Sequence, residues 1–282
     1  MEAFASQVSY EYWDQYTPRV ERNVDRVLAL FDRYKVRGTF FVLGSVAERF
    51  PGLVRRITSL NHEIGCHGFA HRRLHTQTPD QFRSDLRDAR NRISDQAQQA
   101  IRCYRAPSFS IVRNTLWAFD VLAEEGFDLD SSVFPVRHDL YGIPDSSRFP
   151  HWRTTGNGST VFEFPPSTVR RYRNNWGVGG GGYLRFAPYR LTRWALKLIN
   201  EEERQPAMVY FHPWEIDPDQ PRIPARWRSR LRHYTNLETM EGKIARLLRD
   251  FRFTTFSEAC LQLDVFRTRQ GRTFVLEPAV AS

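Results

Sequence analysis

The chain has 282 residues, 41% of them hydrophobic, enough for one large α/β domain or two ordinary ones around a substantial core. No apolar run reaches the roughly 18 residues of a membrane-spanning helix, and the N-terminus lacks a signal peptide's basic and apolar regions, so we expect a cytoplasmic protein without a transmembrane segment. The formal charge is +9, but the arginines that supply most of it are spread along the chain, so we expect no nucleic-acid partner.

The first 132 residues alternate helices with short apolar strands. Helical spacing of apolar residues predicts a helix over 19–35, and the run Thr39–Leu43 predicts a buried strand. Ser45 is expected to cap the next helix, which Phe50 and Pro51 break or restart. Further strands are predicted at 63–66, 103–106 and 128–132, and further helices at 80–97 and 114–125. This alternation predicts a parallel sheet or barrel, whose active groups lie at the carboxyl ends of its strands.

The series opens on a helix, because residues 1–18 contain no apolar β-type run. We therefore expect the fold to lack the strand with which such a series should begin.

Residues 134–190 interrupt the pattern with many prolines, glycines and aromatic residues, and we predict an irregular insertion there. No Gly-Lys-Ser/Thr follows the run Gly179–Gly182, so it is not a phosphate loop but a flexible active-site loop or a plain β-turn region. Beyond it we predict helices over 191–199 and 240–250 and strands at 207–211 and 253–256. Residues 1–265 would form one domain, with a disordered tail over 266–282.

A cluster of imidazoles follows the strand at 63–66, where His67, His71 and His75 are spaced four residues apart. Two histidines at this spacing share one face of a helical turn, or can converge from a tight loop, so both rings can reach one divalent cation. The spacing also arises by chance in a chain of this size. The neighbouring Cys66 has no CxxC partner and is predicted to be a buried thiol.

Three more predicted strands end on polar residues: Arg105 in YRAPS, Asp130 in DLDSS and His212 in VYFHPWE. Each is ordinary by itself. Together with His67 and His71 they place polar groups at four strand ends, which is typical of the rim of a metal hydrolase.

Six motifs in order now make a family resemblance clear. They are GTFFVLG at 38–44, HEIGCHGFAH at 62–71, YRAPSFS at 104–110, DSSVFP at 130–135, HDLYGIP at 138–144 and YFHPWE at 210–215. The chain resembles the NodB-homology polysaccharide deacetylases (carbohydrate esterase family four), in particular the subgroup of exopolysaccharide and exosortase loci. The resemblance implies an α/β fold, a distorted (β/α) barrel, and metal-dependent de-N-acetylation of N-acetyl-hexosamines in a polysaccharide.

The resemblance also implies roles for individual residues. His67 and His71 would bind a divalent metal, expected to be zinc, and Arg105 would orient the catalytic carboxylate. The backbone N–H of Ser108 would help to hold the oxyanion. His212 would protonate the leaving amine, and Asp130 would keep its imidazole charged and aimed. A separate sequence-based expectation is that Trp176 and Trp214 either stack on sugar rings or fill the core.

The chain departs from the family at its first motif, an acidic pair that supplies the general base and a third metal ligand and that should end the missing first strand. One hypothesis is that Met1 stands at an internal codon of a longer protein. The other is a shortened protein that binds glycan without cleaving it. In either case a polysaccharide is the expected partner, with peripheral association with a polysaccharide-synthesis assembly.

Overall fold

A central six-stranded sheet organises the protein, which the computed structural model describes over residues 18–223 and 227–263. Its strands are β1 (Thr39–Val42), β2 (Glu63–Cys66), β3 (Cys103–Tyr104), β4 (Leu129–Asp130), β5 (His151–Thr154) and β6 (Thr160–Glu163). They lie in the order β1-β2-β3-β4-β6-β5, and all neighbours are parallel except β5 and β6. Parallel strands bring their carboxyl ends to one edge, so the residues that follow β2, β3 and β4 lie near one another.

Helices surround this sheet. They are α1 (Val20–Arg33), α2 (Gly44–Arg49), α3 (Pro51–Ser59), α4 (Pro79–Ala97), α5 (Ala118–Glu124), α6 (Gly181–Phe186), α7 (Tyr189–Lys197), α8 (Trp227–Tyr234), α9 (Leu237–Asp250) and α10 (Phe256–Leu261). A separate antiparallel hairpin is formed by β7 (Thr168–Arg171) and β8 (Asn174–Gly177). No helix among the described residues is long and apolar enough to cross a membrane.

Helix α1 joins two parts of the core because it buries two faces. Val24 and Leu28 belong to the cluster formed with α3, α4 and α5, whereas Val27, Leu30 and Phe31 belong to the cluster formed with α6, α7 and α9. The apolar residues that predicted α1 are therefore divided between these two clusters. Through this packing α1 connects α9 and its neighbours to the helices that lie against the sheet.

The predicted α/β fold with a parallel sheet is confirmed, and α1, α3, α4, β1, β2, α7 and α9 lie where the sequence placed them, within one to three residues. In the described part of the chain the sheet is open, with β1 and β5 at its edges, as expected of a distorted barrel and not of a closed one. Two predictions concern residues that the structure does not describe, apart from residue 18. They are the absence of a strand over 1–18 and the disordered tail over 266–282.

Several local predictions were wrong. Ser45 lies inside α2, which begins at Gly44 without a side-chain cap. Three of the four residues of β1 are only half-buried, because within the described residues this strand has β2 as its one strand partner. The helix predicted over 114–125 shortens to α5, because residues 113–115 form a separate 3₁₀ turn.

The stretch predicted to be irregular contains β5 to β8, and β6 is a full member of the central sheet beside β4. Conversely, residues 207–211 form a single parallel bridge, Gly180 to Tyr210, instead of a strand. The predicted strand over 253–256 is also absent, because Thr255 caps α10. Short β-type runs were thus misread because the pairing of a strand depends on the segments around it and not on its own residues alone.

The four-glycine run is packed structure. Gly179, Gly180 and Gly181 are buried, and a Cβ on Gly180 would lie 2.2 Å from the Tyr210 ring, while one on Gly179 would lie 2.1 Å from the Met208 carbonyl oxygen. Glycine is therefore required for the close approach of two backbones, and neither proposed explanation of the run, a flexible loop or a plain turn, describes it.

Candidate active site

His67 follows β2 directly, and its ring is held in one tautomer. Its Nδ1 lies 2.6 Å from the carbonyl oxygen of Arg105, so Nδ1 carries the hydrogen and Nε2 is left as a metal-binding or proton-accepting atom. Burial, and then the neighbouring His71, lower the pKa of His67 well below its ordinary value. The imidazole is therefore neutral at physiological pH, which is the form that binds metals.

The structure brings His71 next to His67 through a loop and not through a helical turn. Their ring centroids are 5.1 Å apart, and His71 lies in the left-handed backbone region with a φ of 57°. Asp85 of α4 braces this loop by accepting a 2.8 Å hydrogen bond from the Phe69 N–H. His75 lies exposed in a separate 3₁₀ turn, Leu74–Thr76.

Two imidazoles are fewer than the three protein ligands typical of catalytic zinc. Among the described residues no group of three or more His, Cys, Asp or Glu side chains could hold a metal ion. The fixed tautomer of His67 and the proximity of His71 nevertheless fit half of a zinc site. Among residues 18–223 and 227–263, His67 and His71 therefore fit a zinc site but supply only two of its ligands.

Arg105 follows β3 and is 8% exposed. Its guanidinium donates to the Ser131 carbonyl at 3.1 Å and to the Ser131 hydroxyl at 2.8 Å, and it lies 4.4 Å from the Phe41 ring centroid. Burial lowers the pKa of Arg105 to about 10, so it keeps its charge at neutral pH. Within the described residues its hydrogen bonds go to Ser131, and its predicted orientation of a catalytic carboxylate stays a prediction.

Ser108 lies in the turn after β3 with a strained backbone. Its φ is 54°, and that of the following Phe109 is 52°. Two consecutive non-glycine residues in this region cost of the order of 1–2 kcal/mol each, and such strain is concentrated at functional sites. The conformation supports a special role for this turn, such as the predicted oxyanion contact.

Asp130, at the end of β4, is fully buried. It accepts hydrogen bonds from the backbone N–H of Ser132 at 2.9 Å and from its hydroxyl at 2.6 Å, and that hydroxyl accepts the N–H of Ala106 at 2.8 Å. The cross-strand neighbour of Asp130 is the equally buried Glu163 of β6. Asp130 is therefore connected to the turn after β3 through the hydroxyl of Ser132.

The carboxylate next to His212 is Glu215, not the predicted Asp130. Glu215 Oε2 lies 3.1 Å from His212 Nδ1 and accepts the His212 backbone N–H at 2.9 Å. Sequence reasoning missed Glu215 although the quoted motif HPWE contains it. The signal was its position three residues after His212, with Pro213 between them, which is typical of a capped turn.

Trp214 stacks on His233, with ring centroids 4.1 Å apart, and on His212, at 5.7 Å. Trp176 is different, because it lies on β8 with 61% of its surface exposed. His67, His71, Arg105, Ser108, His212, Trp176 and Trp214 all line one cavity of about 2040 Å³. The structure thus brings these seven predicted residues to one cavity, whereas Asp130 is buried and does not line it.

Two family models match the chain. Residues 7–124 match the family model described as polysaccharide deacetylase, and residues 131–261 match a domain of unknown function, DUF3473. Residues 7–124 are therefore similar to a polysaccharide deacetylase domain.

Among curated relatives, a peptidoglycan-N-acetylglucosamine deacetylase of Bacillus cereus is 33% identical over 94 residues, covering 33% of this chain and 34% of the relative. A chitooligosaccharide deacetylase of Bradyrhizobium is 32% identical over 98 residues, covering 34% of this chain and 42% of the relative. A peptidoglycan deacetylase of Helicobacter pylori is 31% identical, covering 40% and 38%. The chain thus spans well under half of the length of these relatives.

Solved structures show the same fold. A protein of Mycobacterium smegmatis assigned to the polysaccharide deacetylases superposes with a TM-score of 0.56 at 22% identity, covering 91% of this chain and 81% of that one. The allantoinase Puue superposes with a TM-score of 0.56 at 16% identity, covering 89% and 72%. At such identities the likeness establishes the architecture alone.

Proposed function

We propose that the protein is a metal-dependent deacetylase that removes acetyl groups from N-acetyl-hexosamine residues of a polysaccharide, in the course of exopolysaccharide biosynthesis. The observation that carries the proposal is the convergence of His67, His71, Ser108 and His212 on one cavity. The deacetylase names of the curated relatives support the reaction type. The proposed site of action is the cytoplasmic side, in peripheral association with a polysaccharide-synthesis assembly.

His67 and His71 would hold the metal, which we propose to be zinc. Zinc when bound supplies a Lewis acid for the acetamide carbonyl and lowers the pKa of water. The N–H of Ser108 would face the developing oxyanion. His212, exposed on the cavity wall, would give its proton to the departing amine nitrogen, which is a poor leaving group without it. Arg105 would contribute a buried positive charge to the lining of the same cavity.

Acetate release from N-acetylglucosamine oligomers tests the proposal in the 282-residue protein with added zinc. We expect the rate of acetate release to fall by at least about 10²-fold when the metal is chelated. The same loss is expected in His67→Ala and in His212→Ala. His75→Ala is the matched control, because that histidine lies exposed in a separate turn. A His212→Ala variant that stays fully active would contradict the assignment of the general acid.

The second candidate function is glycan binding without cleavage. It is favoured by the partial donor set, since the described residues supply two imidazoles and no third ligand. Binding of the same oligomers without acetate release, with zinc present, would support it. A steep salt dependence of DNA binding would instead favour a basic nucleic-acid-binding protein.

Trp176 provides a test of the glycan-binding cavity that applies to both functions. If this exposed ring stacks on a sugar, Trp176→Ala should weaken oligomer binding by about 0.5–1.5 kcal/mol, roughly two- to tenfold. Trp227→Ala is the control, because Trp227 is similarly exposed, at 65%, and lies outside the set of described residues that line the cavity. Equal losses in both variants would contradict a sugar platform at Trp176.

A further inference from the structure

The side chain of Glu215 holds the ring of His212 in one orientation. Glu215 is fully buried, whereas the side chain of His212 is 48% exposed. Burial raises the pKa of Glu215, but hydrogen bonds from His212 and the charges of His212 and Arg185 outweigh it, so the pKa is lowered overall. An ionised carboxylate can only accept hydrogen bonds, so Nδ1 of His212 carries a hydrogen and Nε2 is the atom left for the cavity.

Arg185 lies on the other side of the same carboxylate. Its Nη1 is 3.7 Å from Glu215 Oε1, and its side chain is 3% exposed. The same Nη1 donates to the His233 carbonyl at 2.8 Å, and the guanidinium lies 5.1 Å from the Trp214 ring centroid. Arg185 is thus fixed by an ion pair, a hydrogen bond and a ring contact.

The segment that carries Arg185 is fixed as well. Lys243 of α9 donates to the carbonyl oxygens of Leu184, Arg185 and Ala187 at 2.7, 3.0 and 2.7 Å. These bonds satisfy carbonyl groups at the end of α6, which a helix as short as α6 cannot satisfy by itself. Helix α6 is therefore anchored to α9 at the point from which Arg185 reaches Glu215.

A buried ion pair contributes little net stability compared with apolar side chains of the same volume. Here the pair ends on an exposed imidazole that lines the cavity, so an orienting role explains it better than a stabilising one. We propose that Arg185 and Glu215 are positioning residues that hold His212 in the Nδ1–H form with Nε2 directed into the cavity. The inference rests on the proposed function and assigns to Glu215 the part that the sequence had given to Asp130.

The positioning acts on one step of the reaction. In the imidazolium form, His212 carries a second proton on Nε2 in addition to the hydrogen on Nδ1. As the C–N bond of the tetrahedral adduct breaks, that second proton passes to the nitrogen, giving acetate and a free amine and leaving a neutral imidazole in the Nδ1–H form. Nδ1 keeps its hydrogen bond to Glu215 throughout. An aryl acetate does not need this proton, because its phenolate leaves unaided. The ratio of amide to aryl acetate hydrolysis therefore reports on the donation of a proton to the leaving group.

Nitrogen NMR of isotope-labelled imidazoles tests the tautomer, whether or not the chain is active. We expect His212 to be in the Nδ1–H form in the wild type and in a mixture of tautomers in Glu215→Gln, because the amide has one oxygen to serve His212 and Arg185 and can donate to Nδ1. Glu215→Ala should show the same mixture. The matched control is Asp217→Asn, which alters a buried carboxylate that is two residues away and pairs with Arg19 at 2.6 Å. An unchanged tautomer in both Glu215 variants would overturn the inference.

A kinetic measurement separates this inference from the proposed function. In a protein that releases acetate, Glu215→Gln should lower amide turnover by about 10²-fold with KM unchanged, and leave nitrophenyl acetate hydrolysis within about twofold. Arg185→Met should act in the same direction, with partial recovery in Arg185→Lys, which restores the charge. Parallel losses on both substrates would refute the positioning role while acetate release itself stood. A wild type without acetate release would refute the proposed function, and the tautomer would still decide the inference.

Discussion

Glu163 and Asp130 form a buried pair of carboxyl groups that should make the protein less stable as pH rises. Both are fully buried on neighbouring strands. Oε1 of Glu163 accepts the Val133 N–H at 3.0 Å, whereas Oε2 has no hydrogen-bond donor among the described residues. Burial, and then the charge of Asp130, raise the pKa of Glu163 well above its ordinary value. At a pH between the unfolded-state and folded-state pKa values of Glu163, the folded pair therefore holds a proton that the unfolded chain has released.

The magnitude follows from proton linkage. Because the pKa of Glu163 is raised in the folded state, its contribution to stability is fully present below the unfolded-state pKa of about 4.3 and is lost as pH rises through the folded-state pKa. Each pH unit between those two values costs about 1.4 kcal/mol for one proton. Glu163→Gln removes this titration, and its amide can donate to Asp130. We therefore expect the variant to gain about 1.4 kcal/mol per pH unit relative to the wild type across that interval.

Urea unfolding of both proteins at a series of pH values measures the effect. The difference in the free energy of unfolding between variant and wild type cancels every group except this pair. That difference should grow with pH above about 4.3 and become constant once the wild-type pair has lost its proton. A difference that is independent of pH would refute the shared proton, and a variant destabilised at every pH would show that packing, not ionisation, dominates at this position.

Three further stability changes are expected, each measured by the same unfolding assay. Glu125→Gln should lower the free energy of unfolding by about 1–3 kcal/mol above pH 5. Burial raises the pKa of this carboxylate, but three partly exposed arginines of α4 pair with it and lower the pKa overall. The cost should therefore disappear as pH falls through the lowered pKa, and a cost that persists in acid would contradict the ion pairs. Gly44→Ala should cost about 1–3 kcal/mol, because its Cβ would lie 2.7 Å from the Cα of Ala89, and a neutral result would show that α2 can move away from α4. Thr78→Ala should cost about 1 kcal/mol by removing the capping box at the start of α4, whereas Ser59→Ala, which alters an exposed hydroxyl inside α3, should cost much less.

Local sequence patterns predicted the helices and strands whose buried residues recur at a regular spacing or form one apolar run. Helices α1, α3 and α4 show apolar residues at helical spacing, and the run Glu63–Cys66 was predicted to the residue. The four strands β5 to β8 were missed because β5 and β8 carry no apolar run, and because pairing with a neighbouring strand stabilises each of them: β5 with β6, β7 with β8, and β6 also with β4. The context that stabilises such strands is the neighbouring strand, which a local pattern does not contain.

The sequence by itself determined the class of fold, and it singled out His67, His71, Arg105, Ser108 and His212, which the structure brings to the lining of one cavity. The tertiary structure decided which carboxylate serves which residue. Asp130 and Glu163 meet because β4 and β6 are paired, and Arg185 reaches Glu215 because α6 packs against α9. These contacts join residues up to 59 positions apart, and no spacing rule along the chain specifies them, since it is packing across the core that brings them together.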